Sequence, residues 1–196
     1  MYVKKSLNSR KIAQACALVL TLAAPLAFAD AYPGGSGDPN ANGLGPTGLV
    51  KTVIDSASKY RDVNAALDDG YAPATGCVSG PYGGAQGVHY VRFDLIGDGV
   101  LDPGTPEVLL YEPTPWGTMR LAGAEYLTIK EAWHAQNGEF TPPVVGGQHM
   151  FLLDEPNRFV IPAAYALRVW AFKKNPTGIF ALSNMSVTCE YYSPEG

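Results

Sequence analysis

Three residues in separate segments of the sequence carry side chains that can bind a divalent metal ion or transfer protons: His89, Glu125 and His149. Imidazole nitrogens and carboxylate oxygens are common ligands of zinc and of other transition metals. Two histidines and one carboxylate leave coordination positions open for water or a substrate, as in many catalytic centres. No two of these residues share a short ligand motif. A site that binds a divalent metal ion as its cofactor would therefore form only if the fold brings the three residues together.

Each of the three residues falls on the apolar face of a predicted strand, because successive side chains of a strand point to opposite faces. His89 shares its face with Val91 and Phe93, whereas Tyr90 and Arg92 point the other way. Glu125 shares its face with Leu121, Gly123, Leu127 and Ile129, and His149 shares its face with Phe151 and Leu153. The pattern predicts polar groups that point into a sheet interior.

A buried carboxylate is unfavourable unless it is paired, hydrogen-bonded or protonated. Glu125 therefore has two interpretations besides a metal ligand: a core pair with His89 or Arg168, or part of a site for another ligand. Tyr126 and Trp170 add aromatic surface of the kind that lines pockets for small apolar or sugar ligands, although such residues also build ordinary cores. The candidate ligand-binding residues are His89, Glu125, Arg168, Tyr126 and Trp170.

The elements that must position these residues are a helix and a set of short strands. Apolar residues at three-and-four spacing predict a helix that opens at Thr47, followed by a short helical turn over 63–67 that Asp69-Gly70 closes. Period-two patterns predict strands at about 88–93, 107–112, 119–129, 148–153 and 166–173. A helix ahead of a mainly antiparallel sheet or partial barrel is typical of an α+β domain.

One further helix interrupts the predicted strands, over residues 129–136. Thr128 and Glu131 have the spacing of a capping box at its start, and Asn137-Gly138 supplies a stop. His134 lies near its C-terminus, where the helix dipole favours an imidazole. The helix is not expected to contribute to the site.

The first 29 residues read as a secretory signal peptide. A basic start is followed by an apolar stretch and by Ala27-Phe28-Ala29, a small-x-small cleavage signal. Residues 30–46 are rich in Gly and Pro and predict a flexible leader, so the single folded domain is expected over 47–196. No later segment is long and apolar enough to span a bilayer, which predicts a secreted or periplasmic protein.

Removal of the signal peptide also changes the net charge and the number of cysteines in the protein. The signal peptide holds four of the 14 basic residues and none of the 18 acidic ones, so its removal shifts the formal charge from −4 to −8. An acidic protein is not expected to bind nucleic acid or an anionic membrane. Cys77 and Cys189 are the two cysteines left, and in an oxidising compartment an even pair predicts one disulfide.

Four stretches together resemble a family of small exported bacterial proteins of uncharacterised function. They are Tyr60–Leu67, Gly87-Val88-His89-Tyr90, Pro106–Glu112 and the pattern Trp170-x4-Asn175-Pro176-x-Gly178-x-Phe180. The resemblance implies a bacterial exported protein and supports the pairing of the two cysteines. Relatives are expected to carry a histidine at the position of Arg168, so a metal site of that family would lack one ligand in this chain.

Three classes of function follow. The first is an exported module that binds a small molecule or a metal between the sheet and the first helix. The second is a metal-dependent enzyme that uses His89, Glu125 and His149 as ligands. A structural role in the cell envelope is the third alternative. Convergence of the three side chains would favour the enzyme, whereas pairing of Glu125 with Arg168 would favour the other two classes.

Overall fold

A computed structural model of the protein describes residues 46–194. The predicted signal peptide and the leader up to residue 45 lie outside the described residues. The described residues combine three α-helices with a mostly antiparallel sheet, which confirms the α+β class. None of the described helices is long and apolar enough to cross a bilayer.

The polypeptide enters the fold through two helices joined by a tight turn. Helix α1 (Pro46–Ala57) continues as a 3-10 turn (Ser58–Arg61) into α2 (Val63–Asp68). The predicted apolar stripe is buried at Leu49, Val53, Ala57 and Tyr60. The 3-10 turn therefore continues the buried stripe of α1 and positions Tyr60 at its end.

The main sheet is built from seven short strands. They are β1 (Ala72–Pro73), β2 (Val78–Ser79), β3 (Ala85–Val91), β4 (Val108–Pro113), β5 (Met119–Ile129), β8 (Phe151–Leu153) and β9 (Ala164–Val169). Their order is β1-β3-β4-β5-β9-β8, every pairing is antiparallel, and β2 pairs with β3 beside this path. The sheet is open, with β1 and β8 at its edges.

Both faces of the central strands are buried, since every residue of β3 and β4 is shielded from water. One face packs against the helices through Tyr90, Leu109 and Tyr126. The opposite face packs under the segment 151–161 and the C-terminal residues, with Leu110 and Leu127 in its core. The functional side chains must therefore lie within one of two distinct cores.

The strand β5 has exactly the predicted bounds, but its face assignment changes part-way along. A β-bulge shifts the register between β4 and β5 at Leu110 and Tyr111. Leu121 consequently lies in the core that contacts the helices, and Ala122 in the opposite core, which also contains Leu127. The expectation that Leu121 shares a face with Glu125 is therefore wrong, because the extra residue reverses the alternation.

Two predicted elements in the second half of the chain also differ. The strand expected over 148–153 is two strands in different sheets: β7 (Gln148–His149) pairs with β6 (Val144–Val145), whereas β8 joins the main sheet. Helix α3 (Lys130–Asn137) forms and ends at Gly138 as expected. Its capping box does not form, because Thr128 is still a buried residue of β5 and Ile129 occupies the N-cap.

A disulfide joins Cys77 to Cys189, with 5.6 Å between the two Cα atoms. The predicted cross-link is confirmed. It connects the loop before β2 to the C-terminal segment, at a sequence separation of 112 residues. The C-terminal segment is thereby held against the sheet face opposite the helices, where Val187 is part of the core.

Candidate functional site

The structure brings His89, Glu125 and Arg168 together on the sheet face opposite the helices. Glu125 and Arg168 are direct partners across β5 and β9, and Arg168 Nη2 lies 2.8 Å from Glu125 Oε1. His89 Nε2 lies 3.5 Å from Glu125 Oε2. Among the alternatives left open by the sequence, the pair of Glu125 with Arg168 is therefore the one that forms.

The imidazole of His89 lies between Thr75 and Glu125. The Thr75 hydroxyl lies 3.1 Å from His89 Nδ1 and also accepts a bond from the His89 backbone N–H at 3.2 Å. The other ring nitrogen, Nε2, faces Glu125. The separation of 3.5 Å is long for a hydrogen bond, so this contact is mainly electrostatic.

Burial sets the charge states of this cluster. Burial, together with the positive charges of Arg168 and Arg158, lowers the pKa of His89 to about 3. The imidazole is therefore neutral at physiological pH. Burial raises the pKa of Glu125, against the opposing effect of the Arg168 guanidinium. The arrangement is that of a carboxylate–guanidinium pair beside a neutral histidine.

Aromatic rings cover this charged cluster. The ring of Phe159 contacts His89 edge-to-face at 5.6 Å between centroids, and Arg168 lies 5.5 Å from the ring centre of Phe151. The side chains of His89, Glu125 and Arg168 are only 4–6% exposed. The cluster thus belongs to the core, and a ligand would have to displace the covering segment to reach it.

The other predicted site residues lie elsewhere. Tyr126 is on the helix-facing side, where its hydroxyl donates to the carbonyl of Pro103 at 2.6 Å. Trp170 shares the face of the charged cluster, but its indole N–H donates to the Ala181 carbonyl at 2.7 Å. Both polar groups are engaged within the fold, as expected of core aromatic residues.

The metal site predicted from His89, Glu125 and His149 does not form. His149 is an exposed residue of β7, in the small sheet, whereas the other two are buried in the main sheet. Within residues 46–194, no group of three or more His, Cys, Asp or Glu side chains is arranged to hold a metal ion. The prediction failed because β7 and β8 are separate strands, so alternation could not be extended between them.

A second acidic residue, Glu107, is also removed from water, with 2% of its surface exposed. Its Oε2 accepts a hydrogen bond from the backbone N–H of Leu127 at 3.0 Å. Burial foremost, with the charges of Asp98 and Asp102, raises the pKa of Glu107 to about 8 against the opposing effect of its hydrogen bonds to backbone N–H groups, including that of Leu127. Glu107 is thus a largely neutral carboxylic acid at physiological pH.

A polar cleft of about 330 Å³ opens between the helical segment and the sheet. Residues from three parts of the chain line it: Ser56, Lys59, Tyr60, Asp69, Tyr71, Arg92, Gly104, Thr105 and Pro106. The 3-10 turn supplies Lys59 and Tyr60, and the chain leaving β3 supplies Arg92. This cleft lies where the sequence predicted a ligand, between the first helix and the sheet, but its residues are different.

One network organises the helical wall of this cleft, which we call the Lys59–Asp69 cleft. Lys59 Nζ lies 2.6 Å from Asp69 Oδ2, and the Tyr60 hydroxyl donates to the same oxygen at 2.9 Å. These hydrogen bonds, that of Lys59 foremost, hold the pKa of Asp69 below its usual value. Asp69 is therefore ionised at the mouth of the cleft.

The second wall of the Lys59–Asp69 cleft, which we call the sheet wall, is formed by Tyr71, directly before β1, and Arg92, directly after β3. Arg92 Nη2 donates to Asp94 at 2.8 Å, and its guanidinium carbon lies 5.8 Å from the centre of the Tyr71 ring. The Tyr71 hydroxyl donates to the Pro106 carbonyl at 2.6 Å. Arg92 is thus held in place at one nitrogen while most of its N–H groups remain available.

Comparison with models of known protein families, with curated proteins and with solved structures finds no match to this chain. The resemblance to a family of exported bacterial proteins therefore stays a prediction. Function must be argued from the geometry of the charged cluster and of the Lys59–Asp69 cleft.

The sequence contained one signal that pointed to this cleft. Alternation along β3 placed Arg92 on the face opposite His89, which is the face that contacts the helices. Lys59 falls on the polar face of the predicted helical pattern, as charged residues usually do, and gives no such signal. A cation between a sheet and the apolar face of a helix is unusual, which makes Arg92 a candidate binding residue.

Proposed function

We propose that this protein is an exported bacterial protein, secreted or periplasmic, that binds a small polar molecule in the Lys59–Asp69 cleft. The signal-peptide pattern and the disulfide between Cys77 and Cys189 support export, because structural disulfides persist in oxidising compartments. The cleft supports binding, since it combines charged groups, hydroxyls and tyrosine rings in one concave surface.

One observation carries the proposal. Two buried polar atoms on lining residues, Ser56 Oγ and Arg92 Nε, have no hydrogen-bond partner among the residues that the structure describes. Each such group costs about 1–3 kcal/mol. Both side chains can turn toward the cleft by rotamer changes, which are common when a ligand binds. A polar ligand in the cleft would supply the partners that the described residues do not.

A broader depression of about 590 Å³ lies between α3 and the segment 155–163. Its lining includes Glu131, His134, Glu139 and Glu155. No buried side-chain atom lacking a partner, among the described residues, belongs to that lining. The depression therefore has no unmet hydrogen-bonding demand, and the Lys59–Asp69 cleft is the better site.

Export is tested by expressing the full-length chain in a bacterial host. We expect the protein in the periplasmic fraction, with Asp30 as its new N-terminus by mass spectrometry and with no free thiol after unfolding. Retention in the cytoplasm with residues 1–29 still attached would contradict the export proposal.

Binding is tested with a library of small polar molecules and the melting temperature of the exported protein. Lys59→Gln removes a charge from the cleft, and Lys51→Gln is the matched control, because Lys51 is an exposed α1 lysine that also pairs with an aspartate. We expect at least one compound to stabilise the wild type and the control but not Lys59→Gln. No stabilising compound, or equal stabilisation of all three proteins, would contradict the proposal.

A further inference from the structure

The walls of the Lys59–Asp69 cleft define the chemistry of the ligand that it would bind. We infer that this ligand is a small organic acid that carries a hydroxyl or amino group close to its carboxylate; the inference rests on the proposed function. Arg92 and Ser56 bind the carboxylate, and Asp69 binds the second group. Hydroxy acids, amino acids and sugar acids share this chemistry.

The sheet wall is rich in unused hydrogen-bond donors. A guanidinium has five N–H groups, and Arg92 uses one nitrogen, Nη2, for Asp94. Its Nε is buried without a partner in the described part of the chain, and the Ser56 hydroxyl is in the same state. A carboxylate offers two oxygens that accept several bonds and matches the planar fork of an arginine. An acceptor of this kind fits the wall, whereas another donor does not.

The charges around the cleft are paired and not in excess. Lys59 pairs with Asp69, and Arg92 pairs with Asp94, which lies just outside the lining. The carboxylate of the ligand is therefore recognised by the hydrogen-bond donors of Arg92 and Ser56 and not by a surplus of positive charge.

Asp69 explains the second group of the ligand. The bonds from Lys59 and Tyr60 both end on Oδ2, so Oδ1 accepts no hydrogen bond from any residue within 46–194. Because Asp69 is ionised, this oxygen can accept only from an O–H or N–H group. An acid without a hydroxyl or amino group would leave Oδ1 to water, since the Asp69 side chain is 40% exposed, and would forgo this hydrogen bond.

The remaining walls limit the size of the ligand. Tyr60 and Tyr71 pack edge-to-face with 5.1 Å between ring centroids and form an apolar side of the cleft. The hydroxyls of Tyr71 and Thr105 already donate to Pro106 and Asp102, at 2.6 and 2.9 Å. A volume of about 330 Å³ is at the small end of the range for ligand sites. The cleft suits a molecule no larger than a single sugar acid.

The test is an NMR titration of the exported protein, followed through the Arg92 Nε–H resonance. The probes form matched sets: lactate with lactamide and propionate, alanine with alaninamide, and glucuronate with glucose. We expect binding of lactate, alanine or glucuronate, with a shift of the Nε–H resonance. The matched amide or neutral sugar should bind about tenfold more weakly or worse, because the charge-assisted bonds to Arg92 are lost. Propionate should also bind more weakly than lactate.

Variants then assign the two ends of the ligand. Arg92→Lys keeps the charge but removes the Nε–H, and we expect a loss of about tenfold or more in affinity for the acid. Asp69→Asn should weaken lactate more than propionate. Lys51→Gln is the control outside the cleft and should bind like the wild type. Dispersed spectra of each variant show whether it is folded.

The outcomes separate this inference from the proposed function. If neutral or cationic compounds bind while the acids do not, or if Arg92→Lys binds the acids normally, the organic acid is wrong and the binding module stands. If no acid of the panel binds, the inference is overturned. If the wider library also yields no compound sensitive to Lys59, the proposed function fails with it.

Discussion

Glu125 and Arg168 face each other directly across β5 and β9, with Arg168 Nη2 2.8 Å from Glu125 Oε1 and both side chains 4% exposed. Arg168 Nη1 also donates to the carbonyl of Leu182 at 3.2 Å. The ion pair therefore links the sheet to the C-terminal segment that covers it. In such a place the two charges depend on each other, because neither is solvated by water.

We expect Glu125→Ala to lower the free energy of unfolding by about 3–5 kcal/mol, since it leaves the Arg168 guanidinium buried without its carboxylate. Replacing both residues by apolar ones, Glu125→Leu with Arg168→Met, should cost less than the sum of the single changes. Urea unfolding of the wild type, the single variants Glu125→Leu and Arg168→Met, and the double variant measures this coupling, and urea avoids the screening that guanidinium chloride would cause. Additive losses would show that the pair is not coupled.

A second prediction concerns Glu107, whose pKa is raised by burial to about 8 in the folded protein. The unfolded value is about 4.3, so between these values the folded state holds a proton that the unfolded state has released. This contribution to stability is complete below pH 4.3 and is lost as the pH rises through 8, by at most about 1.4 kcal/mol per unit. In Glu107→Gln the side chain stays neutral.

The measurement is urea unfolding of the wild type and of Glu107→Gln at pH values from 6.5 to 9. The amide oxygen can still accept the bond from Leu127. We therefore expect the variant to gain stability relative to the wild type as the pH rises and to be the more stable protein at pH 9. A constant difference over this range would mean that Glu107 is ionised in the folded state.

The strands of the charged cluster were predictable from the sequence as runs rich in apolar residues between turn signals, although both faces of these strands are buried and their alternation is not strict. The bounds of β5 and the placement of His89 with Glu125 on one face follow from that pattern. Since Arg168 was the available cation on a neighbouring strand, its pairing with Glu125 was among the alternatives. The disulfide needed only the count of cysteines in an exported chain.

Most of the remaining features depend on contacts that no local pattern records. The bulge opposite Leu110 and Tyr111 inserts one residue and reverses the faces before it, although the sequence there still alternates. Gly146-Gly147 between β6 and β7 is a hairpin turn signal, and both glycines have positive φ, so the small sheet of His149 was readable from the sequence and was missed by extending one strand over 148–153. The Lys59–Asp69 cleft combines three segments, and its shape depends on how Tyr71 and Pro106 meet.

The disulfide gives a third prediction. Replacing both Cys77 and Cys189 by serine should lower the free energy of unfolding by about 2–5 kcal/mol, because the unfolded chain regains the freedom that a 112-residue closure removes. Hydrogen exchange should also increase in the C-terminal segment, around Val187. Urea unfolding and exchange mass spectrometry measure the two effects. Unfolding midpoints that are the same with and without a reducing agent would contradict a stabilising role.

The fourth prediction concerns His89, whose pKa is lowered to about 3 by burial and by the charges of Arg168 and Arg158. The unfolded value is about 6.5, so between pH 6.5 and 3 the unfolded chain binds a proton that the folded imidazole does not. The His89 contribution to stability is thus present above pH 6.5 and is lost as the pH falls to 3, by at most about 1.4 kcal/mol per unit.

Two measurements check this. The NMR signal of the His89 Hε1 proton should show no titration step between pH 8 and pH 5 in the folded protein. Above pH 6.5, the difference in unfolding free energy between the wild type and His89→Gln should be constant. Below pH 6.5, the wild type should lose stability relative to His89→Gln. A titration midpoint near 6.5 would mean that Phe159 and its segment open readily enough to solvate the imidazole, and the charged cluster would then be accessible to ligands as well.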